Sequence, residues 1–153
     1  MVSVALVAHV LITGMSGAGK STVLAALARR GLRTVDTDFD GWVLDDGTWD
    51  EPRMSALLAA ETTVIVSGTV ENQGRFYDRF ADIVLLTAPV EILMERATRR
   101  SDNPYGTSLR DQNEIRDYVR TVEPLLRETA TLTLDGRRPV SELADIVEHL
   151  AAG

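Results

Sequence analysis

The chain has no cysteine, which excludes disulfides and thiolate metal sites and fits a reducing cytoplasm. It has two histidines, His9 and His149, widely separated. Two distant histidines cannot assemble a metal cluster or a serine–histidine triad; His9 reads as a core or edge residue and His149 as an exposed one. Aromatic residues make up only 5% of the chain. Positive charge is scarce as well: 16 Lys and Arg against 23 Asp and Glu, a net −7, which argues against a general nucleic-acid surface. The apolar start, "MVSVALVAHVLITG", has no cationic opening and no small-residue cleavage site, and its first basic side chain is Lys20. It is shorter than the ~20 apolar residues of a membrane span and reads as a buried strand. Repeats, linkers and low-complexity tracts are missing too. A single domain over 1–153 is expected, cytoplasmic, monomeric or homodimeric, with no membrane or nucleic-acid partner.

What is present is a regular alternation. Hydrophobic residues reach 44%, enough for a real core. β-Branched apolar runs at 4–13, 62–68 and 81–88, with shorter ones at "LRTVDTD" and "TLTL", read as strands. Helical spacing follows at 21–31, in "WDEPRMSALLAAE" with Asp50 as N-cap, after Pro89 in "VEILMERATRR", in the long stretch 109–130 with a bend at Pro124, and in "PVSELADIVEHLAA". A polar turn-rich loop covers 101–108. Strand–helix alternation predicts an α/β fold, a five-stranded parallel sheet with helices on both faces. Ligands bind such sheets beyond the carboxyl ends of the strands. The glycine loop, the Asp36–Asp38 pair, the Ser67–Gly68 turn and the Thr87–Pro89 turn should share that edge.

Gly14, Met15, Ser16, Gly17, Ala18, Gly19, Lys20 and Ser21 satisfy G-x-x-x-x-G-K-[ST], and Thr22 follows. The segment lies between a predicted strand and a predicted helix, the context a phosphate-binding loop requires. Glycines let successive backbone N–H groups turn inward, and the helix start adds its positive end. Lys20 reaches the β- and γ-phosphates and the Ser21 hydroxyl binds Mg²⁺. The loop is therefore expected to hold a nucleoside triphosphate with Mg²⁺.

Charge is segregated. Residues 36–51 carry seven acids and no base, whereas Arg96, Arg99, Arg100 and Arg110 gather further on. Two solvated faces would look alike, but a cation or polar group at one place and phosphates at another fit as well. With period-two alternation, Asp36 and Asp38 face the same side. Beside a triphosphate they would repel it unless Mg²⁺ intervened. One carboxylate suits a metal-bound water and the other an acceptor hydroxyl, as its base. A capped turn is the other reading of the pair.

At "GMSGAGKST", at "VDTD" and over the last third, the chain resembles the small-molecule kinases of the phosphate-loop class, above all shikimate kinase. There "RRSDNPYGTSLR" looks like the mobile lid, about 101–110. "EPLLRETATLTLDGRRPVSELADIVEHL" looks like the adenine loop and final helix. The resemblance implies a three-layer P-loop fold of the nucleoside monophosphate kinase kind and an ATP-dependent phosphotransferase. By position it implies Asp36 on the Mg²⁺ side and Asp38 on the acceptor. Arg99 or Arg100 would stack on adenine, with Arg138 and Pro139 of the adenine loop nearby. Arg110 would reach the transferring phosphate.

The chain also departs from that family. Its kinases grip the shikimate carboxylate with arginines, one of them before a proline in the helix after the lid; here that residue is Glu123, before Pro124. Thr62 falls near a second expected arginine, and "SGTVENQGR" replaces a triple glycine. The expected acceptor is therefore not shikimate but a neutral or cationic metabolite: a polyol, sugar, amino alcohol or aminated natural product. Its pocket is expected to draw on residues 38–60 and on the turn after the third strand. The candidate contacts are Asp38, Trp42, Arg53, Gly68, Gln73 and Arg75, with Glu71 and Asn72 as further hydrogen-bonding groups. Phe39, Trp49 and Phe76 are either pocket walls or core. Arg53, Arg75 or Arg79 would have to serve an anionic acceptor, as a nucleotide kinase requires. A nucleotide-binding accessory ATPase or switch is the alternative of another class.

Overall fold

The computed structural model describes residues 8–15, 18–98 and 109–152. Five strands form one parallel sheet in the order β2-β3-β1-β4-β5. They are β1 (Ala8–Thr13), β2 (Thr34–Asp36), β3 (Thr63–Ser67), β4 (Asp82–Thr87) and β5 (Leu132–Asp135). The α-helices among the described residues are α1 (Lys20–Arg29), α2 (Glu51–Ala60), α3 (Val90–Thr98), α4 (Leu109–Thr121), α5 (Glu123–Thr129) and, after the last strand, α6 (Val140–Ala151). The expected alternation is present; residues 4–7 of the predicted first strand and the loop 101–108 lie outside the described residues.

The sheet is buried on both faces, which is why its strands read as continuous apolar runs. Val10, Ile12, Ile65, Val84 and Leu86 pack against α1, α6, Leu93 of α3 and Ile115 of α4. Leu11, Val35, Val64, Val66 and Ile83 pack against α2, both tryptophans and Phe76, in a 3₁₀ segment over Gln73–Arg79. His9 is 4% exposed, with ring nitrogens 2.6 Å from the Glu61 carbonyl oxygen and 3.1 Å from that of Arg79. It braces the end of the sheet opposite the glycine loop.

Local chemistry accounts for the start of α2 and for the break between α4 and α5. Asp50 caps α2, accepting the Arg53 N–H at 3.2 Å, as its side chain suits. The long stretch 109–130 is two helices rather than one bent helix, parted at Val122. Proline has no N–H and its ring collides with the carbonyl four residues back, so the break falls before Pro124, which sits in the first turn of α5.

Register sets the functional edge. Asp36 lies across from Ser67, Ser67 from Ile12, Thr13 from Leu85, and Thr87 from Asp135. The carboxyl ends therefore gather at one edge, with β4 and β5 reaching past the level of Thr13. β1, at the centre, lies between β3 and β4, so the strand order reverses there, the switch point where such sheets bind ligands.

Candidate active site

The glycine loop runs from the end of β1 to the first turn of α1. Gly14 has φ 140°, and a Cβ there would overlap the Leu86 carbonyl oxygen, so only glycine fits. Gly19, with φ 107°, is the N-cap of α1, and its carbonyl receives the Val23 N–H at 3.0 Å. Ala18 N–H donates to the Met15 carbonyl at 3.1 Å. Ser16 and Gly17 lie outside the described residues.

Lys20 is the chain's only lysine and is 9% exposed. Its ammonium donates to the Gly14 carbonyl oxygen, bending the side chain over the loop. The Ser21 hydroxyl donates to Asp36 Oδ2 at 2.7 Å. Ser67 Oγ is buried and has no hydrogen-bond partner among the described residues. Ile65 packs on the α1 face and Val66 on the other, so alternation puts Ser67 beside Asp36 on the α1 face. A hydroxyl, a carboxylate and an orphaned hydroxyl are hard oxygen donors, a set that fits Mg²⁺ keeping several waters and taking phosphate oxygens. No group of three or more acids or histidines stands ready for a metal among the described residues, and Mg²⁺ beside a triphosphate needs none.

Beside the start of α1 opens a cavity of about 340 Å³, lined by Gly19, Thr22, Arg96, Gly136, Arg138 and Val140, among others. Gly136 follows β5, and a Cβ there would overlap the Ala18 carbonyl oxygen. Arg96 donates to the Gly136 carbonyl at 3.0 Å, tying α3 to this turn. Arg138 is held by Glu142 on the first turn of α6, and Pro139 is the exposed N-cap of that helix. Arg137 engages Asp135 through its guanidinium at 2.7 Å, which holds the Asp135 carboxyl down to about 2. Arg99 and Arg100 lie outside the described residues, and Arg110 is exposed on the first turn of α4.

On the acceptor side the structure corrects several expectations. β2 ends at Asp36, and Asp38 sits in a turn where its N–H donates to Asp36 Oδ1 at 3.1 Å. The period-two reading does not extend to Asp38, because Asp36 caps the turn. Asp38 is exposed, and its carboxylate has no partner among the described residues. Trp42, Trp49 and Phe76 are core rather than pocket wall, at 8%, 1% and 5% exposure, whereas Phe39 is 62% exposed. Arg53 covers the Trp42 ring at 3.8 Å and donates to the Asp40 carbonyl at 2.7 Å. Arg75 lies 3.5 Å from Glu51, and Arg79 donates to Ser55 Oγ at 2.6 Å. Gln73 is 3% exposed and its amide is fully engaged: Oε1 accepts the Val70 N–H at 2.9 Å, and Nε2 donates to Thr13 Oγ1 at 3.1 Å and to the Tyr77 hydroxyl at 2.9 Å. Asn72 clamps the backbone of Trp49 through N–H and carbonyl at 2.9 and 3.1 Å. Gly68 is required by packing, since a Cβ would overlap Thr37 Oγ1, the group to which Trp49 Nε1 donates at 3.0 Å. Glu123, the reversed charge before Pro124, pairs with Arg127 at 3.0 Å, so its charge does not stand alone.

Sequence reading placed Ser67 only within a turn at the ligand edge and Arg96 only within an arginine cluster, and it missed Thr13, Thr69 and Gly136. A glycine directly after a strand at that edge was a usable signal for Gly136; nothing local marks Thr13 or Thr69.

A phosphate-binding loop at the switch point of a 2-3-1-4-5 parallel sheet defines a P-loop protein of kinase-like fold. The AAA domain family profile matches residues 10–118, more than half of the sequence, and the chain belongs to that family. Comparison with curated proteins gave no match. Among solved structures it is similar to a shikimate kinase from Acinetobacter baumannii in complex with shikimate, with 21% identity, TM-score 0.67, and coverage of 95% of this chain and 92% of that one. It is similar to a gluconokinase from Sinorhizobium meliloti 1021, at 18% identity and TM-score 0.65, covering 95% and 91%. A sugar kinase from Janibacter sp. HTCC2649 matches at 20% identity and TM-score 0.59, covering 94% of each chain. These likenesses show the shikimate-kinase-like P-loop fold. No helix of the described residues is long and apolar enough to cross a membrane.

Proposed function

We propose that the protein transfers the γ-phosphoryl group of ATP to a hydroxyl of a small neutral or cationic metabolite other than shikimate. The observation that carries this reading is Lys20, the sole lysine, buried on the Gly14 carbonyl between the Ser21–Asp36 pair and the cavity of about 340 Å³. Such a cavity takes a nucleoside, and the loop amides with Lys20 take its phosphates. Ser21 and Asp36 would hold Mg²⁺, which offsets negative charge on the phosphates when bound.

This chain's residues then divide the work. Lys20 and the loop amides stabilise charge spreading over the γ-phosphoryl oxygens. Asp38, exposed and unpartnered among the described residues, accepts the proton of the attacking hydroxyl. The acceptor oxygen forms its bond to the γ-phosphorus as the bond to the β,γ-bridging oxygen breaks, leaving ADP. Arg110, exposed on the first turn of α4, would meet the transferring group.

Acceptor charge follows from what is free. Arg53, Arg75 and Arg79 are each engaged by Trp42 and Asp40, by Glu51 and by Ser55, while Asp38, Asp40 and Asp45 are exposed. An anionic acceptor there would meet acids whose nearby arginines Arg53, Arg75 and Arg79 are already engaged; a polyol, sugar or amino alcohol would not be repelled. A thermal-shift screen with a non-hydrolysable ATP analogue and hydroxylated metabolites tests this, because a ligand of the folded state raises the transition temperature. The expected hit is neutral or cationic and becomes phosphorylated with ATP. Robust shikimate turnover would overturn the acceptor assignment, and no ATP–Mg²⁺ binding heat would overturn the whole reading.

A further inference from the structure

We infer that Thr69 is a positioning residue for the phosphate loop: its hydroxyl, fixed by a chain of donors starting at Gln73, sets the Gly14 carbonyl on which the Lys20 ammonium rests. The inference deepens the kinase reading and depends on it.

Thr69 Oγ1 brackets Gly14 from a separate segment of chain. It accepts the Gly14 N–H at 3.1 Å and donates to the Gly14 carbonyl at 2.6 Å. It also lies 3.1 Å from Thr13 Oγ1, which receives Gln73 Nε2 at 3.1 Å. Hydrogen bookkeeping leaves one arrangement. Gln73 donates to Thr13, Thr13 to Thr69, and Thr69 to the Gly14 carbonyl; the second amide hydrogen of Gln73 goes to Tyr77. Gln73 Oε1 is held by the Val70 N–H, which fixes which way the amide faces. Each donation is therefore aimed by the one before it.

The device answers a weakness of the loop. Gly14 is glycine because a Cβ would overlap the Leu86 carbonyl, so it has no side chain with which to anchor itself. Thr69 supplies that anchor from outside. The Gly14 carbonyl has two acceptor positions, and Thr69 and Lys20 fill them. Without the hydroxyl, the Gly14 peptide can swing and Lys20 moves with it. Phosphoryl chemistry is sensitive to displacements below an ångström.

The test compares Thr69→Val, which keeps shape and removes the hydroxyl, with Thr69→Ser, which keeps the hydroxyl. Calorimetry with ATP–Mg²⁺ and with ADP–Mg²⁺ is the readout, with circular dichroism and Tm as folding controls. Thr69→Val is expected to weaken ATP about five- to tenfold, the loss of one or two hydrogen bonds. ADP should weaken less, because Lys20 reaches the γ-phosphate as well as the β, so the ATP-to-ADP preference falls. Thr69→Ser should restore both affinities to within about twofold. A purely structural role would lower Tm and leave that preference unchanged. Wild-type preference in folded Thr69→Val, or failure of Thr69→Ser to restore it, overturns the inference. Should Thr69→Val not fold, Gln73→Met decides: a smaller loss of ATP preference supports the relay, and no change overturns it. Lys20→Ala separates the levels. If it leaves ATP binding intact the kinase reading itself fails; if it abolishes binding while Thr69→Val behaves as wild type, only the role of Thr69 is lost.

Discussion

The nucleotide end and the acceptor end of this site are built from different materials. At the nucleotide end, backbone does the work: Gly14 and Gly136 sit where a Cβ would strike a carbonyl, and Lys20 is buried on the loop it serves. At the acceptor end side chains dominate, and many of them satisfy one another. Arg53 lies on Trp42, Arg75 near Glu51, Asn72 on the Trp49 backbone and Gln73 on Thr13. Asp38 and Phe39 remain exposed on the turn after β2. A triphosphate is the same in every such protein and can be held by fixed amides. An acceptor is not, and under the proposed function its recognition would rest on a few groups left free on a shell of paired ones.

Substitutions at the two ends should break down along this line. The largest effect is expected for Lys20→Ala, with ATP–Mg²⁺ affinity falling at least about a hundredfold by calorimetry, since a buried charge-assisted contact and its electrostatic stabilisation are both lost. Asp38→Asn should reduce kcat about a hundredfold or more on the acceptor found by screening, with the ATP dissociation constant unchanged, as loss of a general base implies. An unchanged kcat would remove Asp38 from the mechanism. Gly136→Ala should cost about 1–3 kcal/mol through overpacking against the Ala18 carbonyl, seen as a Tm lowered by several degrees. Gly47→Ala, at φ 83° with nothing within 4 Å, isolates backbone strain from the overpacking at Gly136 and should cost less.

Smaller effects belong to the acceptor side and the helix after 101–108. Arg53→Ala should cost about 0.5–1 kcal/mol, the worth of an exposed guanidinium over an indole, and should change Trp42 fluorescence. Burial, with the charges of Glu123 and Tyr77 nearby, pushes the Tyr118 hydroxyl from 10.0 up to about 12. It lies near Thr69 without a hydrogen bond of regular geometry. The folded state then holds a proton that the unfolded state releases, so stability falls as pH rises from 10.0 toward about 12. Tyr118→Phe should flatten that decline in denaturant titrations.

Legibility followed the range of the interactions. The loop at 14–21 could be read because its glycines, lysine and serine encode backbone turns at fixed spacing. Asp50 as an N-cap was equally local. The orientation of Asp38 was not, because the length of β2 depends on pairing with β3 and on the Asp36 cap. Nor was the break at Val122, where proline acts on the turn before it. Gln73 and Trp42 read as ligand contacts because polar and aromatic residues near a strand end suit both roles; burial decides between them. Thr69 meets Gly14 across 55 positions of sequence, and Arg96 meets Gly136 across 40.

By itself the sequence determined the strand–helix alternation, the phosphate loop and the ammonium within it, since each depends on spacing over a few residues and on what glycine and lysine alone can do. Only the tertiary structure decided which hydroxyls and amides hold that loop still, which arginines are already engaged, and which carboxylate is left free. Those are matters of distance between segments that the chain order keeps apart, and hydrogen bonds form by proximity and direction, not by position in a list of residues.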